Sequence, residues 1–181
     1  LLGDYSTFAI PTNAAGPVTT TSYTMKVSEV SKRVGVLYQP NELHSYHFSA
    51  ATSFNTSGDA YSLSAANANI PPEQSINLEL GAKIDSADKR FTARAALFQS
   101  TKLHERNTDP LVNLVTLSGK RHVTGLELDM AGRLTPQWEI YGSYMWMPEA
   151  NIDTGVAGSE GQGTRPSLTP VHSGTVWNTY Q

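Results

Sequence analysis

Apolar and polar residues alternate with a period of two along most of this chain, and helical spacing is hard to find. Over residues 77–84, Leu78, Leu80, Ala82 and Ile84 share one parity, and Asn77, Glu79, Gly81 and Lys83 take the other. Residues 90–97 repeat the pattern, with Phe91, Ala93, Ala95 and Leu97 against Arg90, Thr92, Arg94 and Ala96. Residues 125–134 set Leu126, Leu128, Met130 and Leu134 against Glu127, Asp129 and Arg133. Residues 138–146 set Trp138, Ile140, Tyr144 and Trp146 against Glu139, Tyr141 and Ser143. The same alternation predicts strands over 33–38 and 43–54, whereas 171–180 is mixed, because Val176 and Trp177 fall on opposite sides. The pattern predicts a curved antiparallel sheet of seven or eight strands. Its two edges fall at the first long strand and at the one near 171–180.

The connections carry a second signal. Gln39-Pro40-Asn41-Glu42, Asp85-Ser86-Ala87-Asp88-Lys89 and Thr135-Pro136-Gln137 read as tight turns, rich in residues that bend the chain. Between them lie long connections over 11–23, 55–75, 102–120 and 147–170. Compact domains keep most loops at about 4–6 residues. A strict alternation of short and long instead suits a membrane barrel with short periplasmic turns and long outer loops. Aromatic placement agrees. Tyr38, Tyr46, Phe48, Phe91, Trp138, Tyr144 and Trp146 share the apolar parity, many near strand ends, where an interfacial girdle needs them. The opposite parity carries both signs of charge, as a wet lumen wall would. On this reading the apolar positions, among them Leu78, Leu80, Phe91, Leu126, Leu128 and Ile140, face outward to lipid. The fold class is therefore all-β: an antiparallel transmembrane β-barrel segment of about eight strands.

Composition excludes several alternatives. The chain has 181 residues, no cysteine, 16% charged residues and a formal net charge of −3. Without cysteine there is no disulfide framework and no thiolate metal site. The balance of charge recommends no nucleic-acid partner. Nor does any run of 18 apolar residues offer a membrane-spanning helix. Ser and Thr supply 18 and 19 residues, and with this excess of small polar over charged groups the chain is too apolar to be a disordered acidic or basic tail. The first residues show no Met and no signal-peptide pattern, and the chain stops within a predicted strand, so it reads as a piece of a longer protein.

Chemical motifs are few. His44 and His47 are three apart and face opposite sides of a strand, so they cannot chelate one metal. Glu127 and Asp129 stand about 6.6–6.8 Å apart on one face, a separation an inverting glycosidase would use. Charges of the opposite sign within reach make them lumen lining instead. Ser173 beside His172 lies on the opposite parity and makes no hydrolase pair. No catalytic residue, metal site or cofactor is expected, and the chain does not read as an enzyme. Basic residues bracket one predicted loop, at Lys102, His104 and Arg106 and again at Lys120, Arg121 and His122. Arg165 lies in the last long loop and Tyr61 in an earlier one. Together they would suit an anionic aromatic ligand, through charge and cation–π contact.

Longer stretches carry a resemblance. Residues 33–40 and 46–55 resemble a descending strand, periplasmic turn and ascending strand of TonB-dependent siderophore receptors. Pro71-Pro72-Glu73-Gln74-Ser75-Ile76-Asn77-Leu78-Glu79-Leu80-Gly81-Ala82-Lys83 is similar to that family's Pro-Glu-x-Ser-x-Asn-x-Glu-x-Gly-x-Lys stretch. Ala96-Leu97-Phe98, Asn107-Thr108-Asp109-Pro110, and residues 118–128, 132–138 and 169–173 resemble its catecholate-type branch. The resemblance implies an outer-membrane receptor that imports a ferric siderophore with energy from TonB, through a 22-stranded barrel filled by a plug. Residues 1–181 would form part of that barrel domain, with the plug and the terminal strands outside it. The implied partners are a catecholate-type ferric siderophore, TonB in the full-length protein, and outer-membrane lipid. Tyr61, His104, Arg106 and Arg165 are the candidate outer-loop ligand contacts. Two other readings remain: a small self-closing outer-membrane barrel with a structural or adhesion role, and a soluble β-sandwich that binds carbohydrate.

Overall fold

A computed structural model describes residues 2–8, 22–55, 71–109, 114–155 and 161–181. They form nine strands: β1 (Leu2–Phe8), β2 (Ser22–Ser28), β3 (Arg33–Asn41), β4 (His44–Asn55), β5 (Glu73–Asp85), β6 (Phe91–Asp109), β7 (Leu114–Thr135), β8 (Trp138–Thr154) and β9 (His172–Tyr180). Strands β3 to β9 make one antiparallel sheet in chain order, so every neighbour in the sheet is a neighbour in sequence. Strands β1 and β2 pair only with each other. The sheet is open, with β3 and β9 at its edges, and β1 does not close it onto β9.

Register separates the two faces. On one, Phe48 stands opposite Leu80, Leu80 opposite Leu97, Leu97 opposite Leu126, and Leu126 opposite Trp146. On the other, Ser49 stands opposite Glu79, Lys83 opposite Arg94, Arg94 opposite Asp129, and Asp129 opposite Ser143. Among the described residues, the apolar side chains of the first face have no second layer over them. Leu80, Leu97, Val36 and Val176 are all exposed, and the described core is confined to Val27, Ala150 and Ile152. A water-soluble sheet this apolar would need a covering layer. A barrel wall is covered by lipid instead.

The turns form from local hydrogen bonds. Asn41 Oδ1 accepts the Leu43 and His44 backbone N–H groups, both at 2.9 Å, which bends β3 into β4. At the β5–β6 turn, Asp88 accepts the Ser86 hydroxyl at 2.6 Å and the Arg90 N–H at 3.1 Å. Those two donors hold its carboxyl below the usual carboxylate range. Lys89 takes the left-handed conformation there, with φ 56°. One row of partners runs from His44 through Ile84, Ala93 and Met130 to Gly142. His44 follows its turn directly, whereas Gly142 lies four residues beyond Trp138 at the next turn but one. This stagger is the strand tilt that barrel curvature requires.

Small residues on the polar face make room for large neighbours. The His47 ring lies over Gly81 on the adjacent strand, and a side chain at position 81 would displace it. Phe98 covers Gly125 in the same way.

One sequence expectation needs correction. Residues 102–120 are mostly strand, not loop: β6 runs to Asp109 and β7 starts at Leu114. Likewise β8 continues past Met147 to Thr154. The alternation fades there because both faces meet water, and because the register shifts between Lys102 and Asn107 on β6 and between Trp146 and Glu149 on β8.

Candidate functional site

The long-loop end of the sheet concentrates the described charge networks. On the polar face, Lys102 of β6 and Arg121 of β7 stand directly opposite each other. Two like charges so placed repel. Two carboxylates resolve this. Glu105 Oε2 accepts the Arg121 Nε–H at 2.5 Å, and its Oε1 lies 3.4 Å from Lys102 Nζ. Glu73 of β5 reaches the same ammonium at 3.2 Å. The acids are the enclosed members, at 8% and 9% exposure for Glu73 and Glu105. Among the described residues of this cluster, two positive charges stand against two negative ones.

Glu105 reaches Arg121 because β6 carries an extra residue. Lys102 pairs with Arg121 and Glu105 with Gly119, so three steps on β6 match two on β7. His104 occupies the bulge with φ 55°. Without the bulge, Glu105 would fall on the other face.

The second network stands on the opposite face, beyond Trp146. His122 shares parity with Leu126 and Leu128 on β7. Its Nδ1 lies 2.7 Å from Asp153 Oδ1 and its Nε2 3.2 Å from Glu149 Oε1, both on β8. Lys120 Nζ approaches Asp153 Oδ2 at 3.7 Å. Asp153 first and Glu149 second raise the His122 pKa above its ordinary value, against a smaller opposing effect of burial. Here too β8 carries the extra residue, since Leu126 pairs with Trp146 but Thr124 with Glu149.

The predicted contact residues fall as follows. His104 sits at the β6 bulge, with its Nδ1 buried and without a hydrogen-bond partner among the described residues. Arg106 lies on β6 next to Glu105, at the second register shift. Arg165 donates from Nη2 to the carbonyl oxygens of Met147 at 2.9 Å and Pro148 at 3.0 Å, the two residues inside the β8 bulge. Its Nη1 is buried with no partner among the described residues. Tyr61 lies outside the described residues. The structure thus places His104 and Arg106 together on one strand, with Arg165 beside β8.

Sequence reasoning found the bases of this rim and missed the acids. Glu73, Glu105, Glu149 and Asp153 neutralise Lys102, Arg121, His122 and Lys120. The spacing of Lys102 and Glu105 was visible, but Glu149 and Asp153 read as loop residues. Elsewhere on the wall, His47 pairs with Glu79 at 2.6 Å and Arg133 with Glu139 at 2.6 Å. Among the described residues, no group of three or more His, Asp or Glu side chains is placed to hold a metal ion.

Comparison with known proteins places this geometry. Residues 3–181 match the family described as TonB dependent receptor-like, beta-barrel. A probable TonB-dependent receptor, BfrD of Bordetella pertussis, is 32% identical over 82% of this chain and 20% of its own length. The catecholate siderophore receptor Fiu of Escherichia coli strain K12 is 30% identical over 94% of this chain and 24% of its own length. The solved structure of the E. coli K12 ferric-catecholate import receptor Fiu superposes with a TM-score of 0.73 at 26% identity, covering 98% of this chain and 28% of that one. The siderophore receptor PiuA of Acinetobacter baumannii shares the fold with a TM-score of 0.74 at 24% identity, over 93% of this chain and 26% of that one. The chain therefore spans about a fifth to a quarter of the length of these curated relatives.

Proposed function

Because this chain belongs to the TonB-dependent receptor β-barrel family, whose barrels lie in the Gram-negative outer membrane, we propose that it forms part of the wall of an importer of ferric siderophores. One observation carries the reading. The open seven-stranded sheet presents one apolar face with aromatic residues toward its ends, and one polar face with charges of both signs. Trp138 and Trp146 on β8 are eight residue steps apart. At about 3.4 Å per residue and a tilt of about 40°, these steps rise about 20 Å, near the height of an outer-membrane apolar band.

On this reading residues 1–181 are part of the barrel domain, and a plug and further strands come from other parts of a longer protein. The chain contributes transport architecture, not catalysis. The cargo is a catecholate-type ferric siderophore, by likeness to Fiu, and TonB supplies the energy. The small self-closing barrel predicts pairing between the segments near residues 1–10 and 171–180, whereas β1 pairs with β2. The carbohydrate-binding sandwich predicts a second sheet over the apolar face, and no described strand occupies that position.

Tyr61, His104, Arg106 and Arg165 are the proposed ligand contacts. Support comes from His104 Nδ1 and Arg165 Nη1, buried near the rim with no hydrogen-bond partner among the described residues, and from the match of Arg to oxyanions and aromatic rings. A ferric-catecholate titration of the purified full-length receptor tests the whole reading. The expected outcome is saturable binding, weakened on the order of 1 kcal/mol per contact in a receptor carrying Arg106→Ala and Arg165→Ala. Absence of binding by the unsubstituted receptor would refute the function. Unchanged binding by the double variant would remove only those two residues.

A further inference from the structure

The outer end of β8 is held from two sides. On the β7 side, the backbone ladder runs from Thr124–Glu149 to Lys120–Thr154, and over it one imidazole bridges two carboxylates, with Asp153 on Nδ1 and Glu149 on Nε2. On the side of the segment leading to β9, Ile152 N–H donates to Thr164 O at 3.0 Å and Gly163 N–H to Ile152 O at 2.8 Å. Arg165 then closes the carbonyls of Met147 and Pro148, next in sequence to Glu149. The strap therefore hangs on the same short stretch that His122 grips.

The bridge has a protonation requirement. A neutral imidazole carries one N–H and one lone pair, and only the imidazolium donates from both nitrogens. After proton loss, one of the two carboxylates faces a lone pair. Among the described residues of the cluster, Lys120 then faces both Glu149 and Asp153, and that group of four passes from balanced to net negative. Of the other described charged groups nearby, Arg121, Lys102 and Glu105 lie on the opposite face and pair with one another, and Arg165 keeps its charge while it donates to the backbone oxygens of Met147 and Pro148. His122 lies beyond the Trp146 level, so the proton reaches it from water.

We propose that His122 is a proton-controlled latch: as the imidazolium it pins the outer end of β8 and the strap around Arg165 to the rim, and on deprotonation it frees that strap. The latch regulates the segment assigned above to ligand capture, so its purpose, though not its chemistry, rests on the receptor reading. The raised affinity of His122 for its proton agrees in direction.

A nitroxide label at Gln162→Cys, on an exposed residue of the strap, reads the latch directly in the full-length receptor. Its mobile fraction is expected to rise between about pH 5 and about pH 8, with a midpoint above the ordinary histidine value of 6.5. His122→Gln should abolish the pH dependence and leave the strap mobile throughout. Glu149→Gln, a milder change, should lower the midpoint by about one pH unit. A label whose mobility ignores pH in the unsubstituted receptor, or a midpoint unmoved by Glu149→Gln, would overturn the proposal. Siderophore binding is not part of this readout, so failure of the latch and failure of the receptor function are separate results.

Discussion

The turn-side part of the wall and the loop-side rim obey different rules, although the same strands run through both. β4 and β5 pair over twelve residues and β5 and β6 over another twelve without one register shift, and on the turn side the described ladders of the sheet shift at the turns themselves, between Tyr38 and Asn41 and between Arg133 and Thr135. At the rim, β6–β7 slips twice beyond Lys102, and β7–β8 slips beyond Leu126 and again beyond Arg121. In the lower wall a one-residue slip would turn every apolar side chain from lipid to water, so the medium enforces the register. Water bathes both faces at the rim, so a bulge there costs little. Stability there comes from partnered charges instead of alternation, and the enclosed carboxylates Glu73 and Glu105 mark the change.

The sharpest way to break this contrast is a charge in the lower wall. Met130→Arg puts a cation at the middle row of the apolar face and should cost about 2 to 4 kcal/mol. Urea unfolding of the full-length receptor in lipid vesicles measures it. Ala96→Arg, on the polar face opposite Glu127, should change stability by no more than about 0.5 kcal/mol. Equal costs at the two positions would mean the faces are not lipid and lumen. Next in size is Gly125→Ala, at the boundary between the two regions. Its Cβ would lie 2.6 Å from Phe98 Cζ and 2.8 Å from the Trp146 carbonyl oxygen, and that backbone atom cannot swing away. A loss of about 1 to 3 kcal/mol is expected in the same assay. Gly35→Ala meets nothing closer than 3.4 Å and should be nearly silent.

Smaller effects sharpen the rim side. Glu105→Gln leaves Lys102 and Arg121 opposed with less compensation and should cost about 1 to 2 kcal/mol, more at low salt than at high salt. Glu42→Gln removes a fully exposed pair with Lys89 and should be undetectable. The smallest effect expected to be measurable is the pH response of His122. Its pKa is raised on folding, so its stabilisation is complete below about 6.5 and fades as pH rises through the higher folded value. Unfolding midpoints at about pH 6 and about pH 8 should therefore differ less in His122→Gln than in the unsubstituted protein. An identical pH response in the two would remove His122 from the rim's energetics.

The strands of the lower wall, their turns and the parity of Leu80, Leu128, Glu79 and Arg94 were legible from the order of residues alone. Period-two alternation is a local property, and each strand pairs with its neighbour in sequence, so local reading sufficed. The family stretch over residues 71–83 was legible for the same reason. The rim was not. Lys102, Arg121 and His122 read as free cations awaiting an anionic ligand, because the partners Glu105, Glu149 and Asp153 are placed by bulges at His104 and beyond Trp146 and Glu73 by a neighbouring strand. A bulge changes which face a residue occupies without leaving a mark on composition. Only the assembled sheet decided that Glu105 reaches Arg121 across β6 and β7, and that Arg165 spends its Nη2 on two backbone oxygens. Alternation is dictated where lipid and water compete for opposite faces of one strand, and pairing is decided in three dimensions where water bathes both.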